Sequence, residues 1–343
     1  MIVSSETLAL AFKGFKTVYS EAYLEAPSHG EKIAMTIPSA SRDETYGWLG
    51  MFPQLREWIG QRQVNGLKAH SFTITNRKFE STVSVKRDDV SDDRLSVFKP
   101  FVSEMGVSAK RHPDELIFGL LKAGFDTPCF DGSNFFSANH PVEIDGKRQA
   151  TSNFQAGTDP AWFLLDTSRA VRPIIFQKRE DYEFQSLDDS NSPHVFLNDE
   201  YLYGVRARVN AGFGLWQPGA GAKAPLNEDN YAAARAAMMG FKSDGGRLLG
   251  VSPSVLIVPP QLESAGLHLL NTEIKDGGGS KVTKIKGAGL VHSPALHLTA
   301  LAEEGEGDKP TIAAQSRGRG AGAVARCQRG RYSRPAARRA GPG

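Results

Sequence analysis

Residues 72–125 read FTITNRKFESTVSVKRDDVSDDRLSVFKPFVSEMGVSAKRHPDELIFGLLKAGF, and this stretch decides the fold. It is the centre of a longer run, Trp48 to Phe136, in which an extended β-rich part (Trp58 to Val85) leads directly into a long helical part (Ser91 to Phe125). Apolar residues in the helical part recur at the helical spacing of three and four positions: Leu95, Phe98, Val102, Met105 and Ala109. The stretch therefore predicts strands followed by an amphipathic helix with one buried stripe.

The start and the middle of this helix carry local signals. Ser91 is a favourable N-cap residue, and Asp92 and Asp93 would stabilise the positive end of the helix dipole. An interior proline costs a helix about 3 kcal/mol. We therefore expect Pro113 to begin a second helical piece, with Asp114 beside its dipole. The prediction is a kinked helix that begins at Ser91.

The β-rich part is predicted to be a hairpin that cannot bury itself. Residues 79, 81, 83 and 85 share one face of a strand, and Asn76-Arg77-Lys78 is expected to supply the turn. Residues 56–65 carry charged and amide side chains on both faces, which excludes a central place in a core. A long hairpin of this kind needs a partner or stays mobile.

The remaining chain is predicted to alternate short helices and strands. An amphipathic helix is expected from Ser5 to Tyr23, followed by an extended arm that Pro27 and Pro38 interrupt. The predicted strands of the second half are Trp162 to Leu165, Val171 to Gln177, His194 to Leu197, Tyr201 to Trp216 and Val255 to Val258. Asn227 is expected to cap a helix from Glu228 to Phe241, and Pro259 and Pro260 to open the last helix.

Composition indicates a soluble globular protein with an uneven distribution of charge. The chain has 343 residues, 40% of them hydrophobic, without an apolar run of membrane-spanning length. The first 14 residues lack the pattern of a secretory signal, so maturation in a cytoplasm is expected. Residues 311–343 hold eight arginines and no acidic residue, which leaves the rest of the chain mildly acidic despite a net charge of +3. Mild acidity fits a container for nucleic acid better than a DNA-binding protein.

The sequence lacks the motifs of enzymes and of metal sites. Cys129 and Cys327 lie far apart, so neither a disulfide nor a zinc ligand set is expected. Nucleophile-elbow, zinc-protease and phosphate-loop motifs are missing. Asp166-Thr167-Ser168 places a carboxylate near a hydroxyl, but Asp before Thr or Ser after an apolar strand is typical of a turn. The isolated histidines are predicted to be satisfied surface or turn residues: His112, His140 and His292.

Several short segments resemble one protein family. They are Tyr46-Gly47-Trp48-Leu49-Gly50, Arg87-Asp88-Asp89, Pro113-Asp114-Glu115-Leu116-Ile117, Asp131-Gly132-Ser133-Asn134-Phe135-Phe136 and Leu164-Leu165-Asp166-Thr167-Ser168-Arg169-Ala170-Val171-Arg172-Pro173. Together they look like the major head subunit of Mu-like phages and prophages, and the resemblance spans roughly residues 1 to 280.

The resemblance implies an α+β fold, the tailed-phage major capsid protein (Hong Kong 97-like) fold. Its expected parts are an N-terminal arm, an extended β-hairpin loop, a long spine helix and an axial domain. The expected boundaries are 1–46 for the N-terminal helix and arm, 47–90 for the extended loop, 91–225 for the peripheral domain with the spine helix, 226–298 for the axial domain and closing strand, and 299–343 for a disordered basic tail.

The resemblance also implies a structural function. Copies of the chain would form the pentamers and hexamers of an icosahedral shell, with a scaffold, a maturation protease and nonspecifically contacted packaged DNA as partners. The expected location is the virion, after assembly in the host cytoplasm, and no membrane, cofactor, metal or catalytic residue is implied. In the family the extended loop lies over an adjacent subunit, so the candidate intersubunit contacts are Trp48, Trp58, Arg62 and Phe72.

Two alternative functions and one departure stay open. An encapsulin-like nanocompartment shell would share the fold, and a hydrolase that uses Asp166 and Ser168 would belong to another class. Residues 300–343, rich in Arg, Gly, Ala and Pro, have no counterpart in the family pattern. They are interpreted either as a disordered basic tail or as the product of a frameshift, and the frameshift is favoured.

Overall fold

The secondary structure is described for residues 4–49, 72–144, 147–271 and 289–292 of a computed structural model. The α-helices are α1 (Ser5–Glu25), α2 (Gly30–Ile33), α3 (Arg87–Ser91), α4 (Lys99–Ala123), α5 (Pro193–Asn198), α6 (Glu228–Met239) and α7 (Glu263–Asn271). Short 3-10 helices lie at Leu95–Phe98 and Pro260–Leu262. The strands are β1 (Ala34–Pro38), β2 (Asp43–Tyr46), β3 (Phe72–Thr75), β4 (Arg77–Lys86), β5 (His140–Ile144), β6 (Lys147–Thr151), β7 (Phe154–Gln155), β8 (Trp162–Leu165), β9 (Ile174–Leu187), β10 (Glu200–Phe213), β11 (Gly219–Ala222), β12 (Val255–Val258) and β13 (Gly289–His292). None of the helices in the described ranges is both long and apolar enough to cross a membrane.

The first sheet has the strand order β1-β9-β10-β4. Strand β1 runs parallel to β9, whereas β9, β10 and β4 are antiparallel to their neighbours. The long β10 pairs with β4 over ten residues, from Glu200 opposite Lys86 to Val209 opposite Arg77. Helix α5 lies between β9 and β10 in the chain, at the Lys86 end of β4.

The second sheet has the order β13-β12-β8-β11-β7. It pairs strand β8 with β12, so its members come from both sides of the predicted domain boundary at residues 225 and 226. Strands β8 and β12 are apolar and buried at every position, as expected for the centre of a sheet covered on both faces. The division into peripheral and axial domains stays a prediction.

Three apolar clusters hold these layers together. The largest joins the two sheets through residues such as Trp162, Phe213 and Trp216. The second lies between α1, α4 and the first sheet, around Phe15 and Tyr203. A third, smaller cluster contains Tyr46 and Leu49 and lies beneath the β2–β3 hairpin.

The spine helix differs from its prediction at its start and at Pro113. It begins at Lys99 and not at Ser91, which instead ends the short helix α3. Asp93 adopts the left-handed conformation (φ 59°), which no helix can continue. The helix then runs without a break through Pro113, because buried residues on both sides of the proline pack it in place. These residues are Val102, Met105 and Ala109 before it, and Ile117, Phe118 and Leu121 after it.

The predicted hairpin turn at Asn76 is also wrong. Strands β3 and β4 do not pair with each other, since β3 pairs with β2 and β4 with β10. The predicted strand from His194 to Leu197 is wrong as well, because it lies in helix α5. There the Ser192 hydroxyl caps the helix by accepting a hydrogen bond from the Val195 N–H, and Pro193 occupies the first turn.

Other predicted elements are confirmed with shifted ends. Helix α1, the Asn227 cap of α6, strand β8 and strand β12 lie where the sequence predicts them. The predicted strand at Val171 to Gln177 begins only at Ile174 and continues to Leu187. Its later half alternates between exposed and half-buried positions, with Phe184 as the buried residue. Because most of these side chains are polar, this half shows no alternation of apolar and polar residues from which a strand could be predicted.

Candidate assembly surface

The predicted extended loop is flanked by the paired strands β2 and β3, which we call its root. Strands β2 and β3 pair from Asp43–Thr75 to Tyr46–Phe72, so both ends of the segment 47–71 start from one antiparallel ladder. The Tyr46 hydroxyl donates to Gln177 Oε1 at 2.8 Å, and Gln177 Nε2 donates to the Ile74 carbonyl at 3.1 Å. Burial, with the nearby Glu44 charge, raises the pKa of Tyr46 to about 12, which keeps this donor protonated. The root is therefore tied to the centre of the first sheet.

Hydrogen bonds of Glu44 and Asn76 fix the turn between β1 and β2 next to this root, and we call them the Glu44 clamp. The Glu44 carboxylate accepts hydrogen bonds from the backbone N–H groups of Ala40 and Ser41 and from the Ser39 hydroxyl. The Ala40 N–H is the main reason that the pKa of Glu44 lies below its usual value. Asn76 Nδ2 donates to Ser39 Oγ at 2.8 Å and to the Ser41 carbonyl at 2.9 Å. Asn76 thus fixes the β1–β2 turn and does not form a turn of its own.

The predicted intersubunit contacts divide into two groups. Trp48 and Phe72 are half-buried at the root, where both pack against the third cluster and Trp48 meets the Tyr46 ring edge-on at 6.1 Å. Trp58 and Arg62 lie outside the described residues, as do all of residues 50–71 of the predicted loop. The structure therefore places two candidates at the root of the loop, partly occupied by contacts within the subunit.

The N-terminal arm is fastened to the spine helix by one carboxylate. Asp114 accepts hydrogen bonds from the Ser28 hydroxyl at 2.7 Å, the His29 N–H at 2.8 Å and the Gly30 N–H at 2.7 Å. A Cβ on Gly30 would lie 2.7 Å from Ile117 Cδ1 and 2.8 Å from Asp114 Oδ1, so a larger residue would displace these side chains. The prediction that Asp114 lies beside the dipole of a new helix that begins at Pro113 was wrong, and its role as an anchor could not be read from local pattern.

We expect Asp114→Asn to destabilise the subunit by about 1–3 kcal/mol. The substitution replaces one carboxylate oxygen by an NH2 group, which cannot accept a hydrogen bond from the N–H or O–H donors that face it. The measurement is the urea midpoint of unassembled protein. Glu115→Gln, an exposed neighbour on the same helix, is the matched control and should stay within about 0.5 kcal/mol of the parent. Equal midpoints for Asp114→Asn and the parent would contradict the anchor.

A second buried polar network lies after the spine helix. His140 is fully buried and stacks on the Trp216 ring at 4.0 Å. Its Nδ1 lies 2.7 Å from Asp131 Oδ2, and the Cys129 thiol donates to Asp131 Oδ1 at 3.2 Å. Burial opposes ionisation of Asp131, but the hydrogen bond and charge of His140, together with hydrogen bonds from the Ser133 N–H and the Cys129 thiol, lower the pKa of Asp131. The prediction that His140 is a surface or turn residue was therefore wrong.

Cys129, Asp131 and His140 together resemble a metal ligand set, since their ligand atoms all lie within 4.8 Å of one another. Tetrahedral zinc with ligands at about 2.0–2.1 Å would hold nitrogen and oxygen atoms about 3.3 Å apart. The 2.7 Å between His140 Nδ1 and Asp131 Oδ2 is instead a hydrogen-bond distance. Burial, then the Asp131 charge, also raises the pKa of the Cys129 thiol well above its usual value. The trio is a hydrogen-bonded brace for residues 129–140.

The Asp166-Thr167-Ser168 segment forms the predicted turn. Asp166 is fully buried, and its Oδ1 accepts from both the Ser168 N–H at 3.0 Å and the Ser168 hydroxyl at 2.5 Å. Its Oδ2 accepts from the Ser252 N–H at 2.9 Å and lies 3.6 Å from Arg169 Nε. Both carboxylate oxygens thus join the β8 turn to the segment before β12, and the arrangement is that of a structural tie.

His112 is also buried more deeply than predicted. Its Nδ1 lies 2.5 Å from the Tyr182 hydroxyl, and its ring packs edge-on against Phe79. Burial, followed by the Arg77 charge, lowers the pKa of His112, which favours the neutral ring. His112 therefore joins the spine helix to strands β4 and β9. The side chain of His292 lies outside the described residues.

Comparisons with known proteins agree with this architecture. Residues 8–296 match the family model of the Mu-like prophage major head subunit gpT. The chain is 41% identical over 295 residues to the major capsid protein of Escherichia phage Mu, a match that covers 84% of this chain and 97% of that protein. It is 36% identical over 288 residues to the Mu-like prophage FluMu major head subunit of Haemophilus influenzae, covering 82% of this chain and 94% of that protein.

A solved structure matches the fold over a similar extent. The chain is similar to the subunit in the procapsid of bacteriophage JBD30, with a TM-score of 0.75 and 40% sequence identity. That match covers 85% of this chain and all of the other chain. The loop root, the anchored arm and the two sheets all lie within residues 8–296, the extent of the family match.

Proposed function

This chain belongs to the family of the Mu-like prophage major head subunit gpT, and from that membership we propose how its copies build a closed head. The protein is a major capsid protein with the tailed-phage, Hong Kong 97-like fold; it is a component of the virion and not an enzyme. The observation that carries the function is the 41% identity across 97% of the phage Mu capsid protein.

Many copies of the chain form the pentamers and hexamers of an icosahedral shell. Repeated heterologous contacts close into rings when the rotation between neighbours is a symmetry operation. The segment 50–71 reaches a neighbouring subunit from its root on β2 and β3. Trp58 and Arg62 make contacts there, and Trp48 and Phe72 contribute the surface that they do not bury within their own subunit. The paired strands and the Glu44 clamp support this assignment, because they set the direction in which the segment leaves the subunit.

Assembly takes place in the host cytoplasm and uses a scaffold and a maturation protease encoded elsewhere. The shell encloses phage DNA and touches it nonspecifically. The mild acidity of residues 1–310 supports this, because a strongly basic lining would bind the packed phosphates tightly and with a steep dependence on salt.

Co-expression with the scaffold tests the function. We expect light scattering and negative-stain imaging to show closed particles of uniform size, and the purified subunit to sediment as rings or shells. Monomers alone, across solution conditions and with the scaffold supplied, would refute the proposed assembly. Particles that close without a scaffold and enclose a cargo enzyme would favour the nanocompartment alternative over a phage head.

The C-terminal tail is not needed for the shell. The family match ends at residue 296, and residues 300–343 have the composition of either a disordered basic tail or a frameshift product. We expect truncation after Leu298 to leave the unfolding temperature and the particle yield unchanged. The truncation should also weaken retention on DNA at low salt, since eight arginines are lost.

The frameshift is tested with a third chain in which the other reading frame is restored. This chain should gain stability relative to the truncated one, because it regains the end that the family pattern contains. A truncation that by itself destroys folding or assembly would mean that the basic tail is a working part of the protein.

A further inference from the structure

Two large apolar side chains stand exposed side by side on helix α5. Phe196 is 83% exposed and Leu197 is 77% exposed, whereas their neighbour Val195 is buried in the second cluster. The left-handed Asp199 (φ 52°) ends the helix directly after them. We call Phe196 and Leu197 the α5 tip. Adjacent exposed apolar residues on a rigid helix are a feature of interaction surfaces.

Exposed carboxylates outnumber exposed bases in the segments that meet at the end of the first sheet next to the α5 tip. The bases are Lys86, Arg87 and Arg94, and the carboxylates, which we call the acidic rim, are Asp88, Asp92, Asp93, Asp189 and Asp199. They lie at one end of the first sheet, because Glu200 pairs with Lys86 and the Arg87 N–H donates to the Asp199 carbonyl at 3.0 Å. None of these five side chains forms a salt bridge with another residue of the described ranges.

The opposite end of the same sheet is basic. The exposed bases there are Arg42, Arg77, Lys78 and Arg179, and we call them the basic edge; Arg42 also lies 3.9 Å from the Asp43 carboxylate of its own subunit. They lie together because the Asn76 N–H donates to the Arg42 carbonyl and Arg179 reaches the Ser39 carbonyl. Strand β4 separates the two ends by ten residues, or about 30 Å at about 3.3 Å per residue. The acidic rim therefore cannot pair with the basic edge of its own subunit.

We propose that the α5 tip and acidic rim of one subunit dock on the basic edge of a second copy of the chain. This inference rests on the proposed function, which supplies the neighbouring copies. The two surfaces complement each other in charge, and arginine also stacks on aromatic rings, so Arg179 can cover Phe196. Arg77, which lies over the Phe79 ring of its own subunit, faces the carboxylates. Because the surfaces differ, the contact is head-to-tail and repeats around a ring.

The first test removes the apolar pair. Phe196→Ser/Leu197→Ser should lower the particle yield roughly tenfold or more, with unchanged circular dichroism and unfolding temperature because both side chains are exposed. Leu248→Ser, at another exposed leucine (64%), is the control and should assemble like the parent. Normal particles from the double variant would overturn the proposal. This holds also if those particles fail to bind a different capsid component, because the α5 tip would then serve that component and not a second copy of the chain.

The second test exchanges charges and does not depend on the first. Asp88→Lys/Asp92→Lys and Arg77→Glu/Lys78→Glu should each impair assembly, and their combination should restore the yield to within about threefold of the parent, since the pairing is re-formed with opposite sign. Asp88→Lys/Asp92→Lys combined with Lys147→Glu/Arg148→Glu, which reverses exposed bases of the β5–β6 hairpin, should not restore it.

Failure of the matched combination, or equal rescue by the unmatched one, would overturn the docking. The parent chain is assembled in the same preparations. If the parent itself forms no shell, the proposed function fails; if only the pattern of rescue fails, the docking alone is wrong.

Discussion

Replacing residues 51–70 by a short glycine–serine linker is expected to abolish closure of the shell while the subunit stays folded. The linker spares the β2–β3 ladder, the hydrogen bond from Tyr46 to Gln177 and the hydrogen bond from Asn76 to Ser39, which hold the root within the subunit. It removes Trp58 and Arg62, the residues that we assign to the neighbouring subunit. Circular dichroism should be close to that of the parent, and sedimentation should show only small species.

A deletion that extends to residue 76 would not test the same idea. Phe72 packs against two clusters and Ile74 is buried, so such a deletion would damage the subunit itself. Trp58→Ala provides a finer version, because truncating a central interface aromatic often costs about 2 kcal/mol or more of binding. Trp58→Phe should retain part of the yield as a conservative control. Normal shells from the linker variant would show that the loop is dispensable.

Gly106→Ala is expected to separate helix α1 from the spine helix. A Cβ at this position would lie 2.5 Å from the Tyr19 carbonyl oxygen and 3.1 Å from the Ala22 Cβ, so the backbone of α1 must move. Overpacking of this kind costs about 1–3 kcal/mol. We expect a lower unfolding temperature and a loss of particles, because the arm that follows α1 shifts with it.

Gly119→Ala in the same helix is the matched control. Nothing lies within 4 Å of a Cβ built at Gly119, and alanine is the better helix former by about 1 kcal/mol. Gly119→Ala should therefore raise the unfolding temperature while Gly106→Ala lowers it. If both substitutions were stabilising, the close approach of the two helices would not constrain residue 106.

The sequence predicted the family, the fold class and the elements with strong local signals. Helix α1 was recognised from its apolar spacing, α6 from the Asn227 cap, and β12 from four consecutive aliphatic residues. The turn at Asp166 was also predicted, because Asp and Ser bond to their own backbone neighbourhood whatever the surrounding fold. Each of these features depends on residues that are close to one another in the sequence.

The sequence did not predict which distant residues meet. Asp114 was expected to lie beside the dipole of a helix beginning at Pro113, but it binds residues 28–30. Cys129 and His140 looked isolated, but a buried carboxylate joins them. His194 to Leu197 was predicted to be a strand, and Val195 and Phe196 are common in strands, but the Ser192 cap with Pro193 makes it a helix. The N-cap residue Ser192 is visible in the sequence, and it could have revealed helix α5.

The sequence by itself thus determined the family, the amphipathic helices, the buried strands and the structural character of Asp166. The tertiary structure alone decided that β4 pairs with β10 and not β3, that the spine helix continues through Pro113, and that acidic and basic surfaces occupy opposite ends of one sheet. The reason is physical: local propensities amount to a few tenths of a kcal/mol to about 1 kcal/mol per residue. Burial of apolar side chains contributes about 1.5–3 kcal/mol each, and it depends on partners that lie far away in the chain.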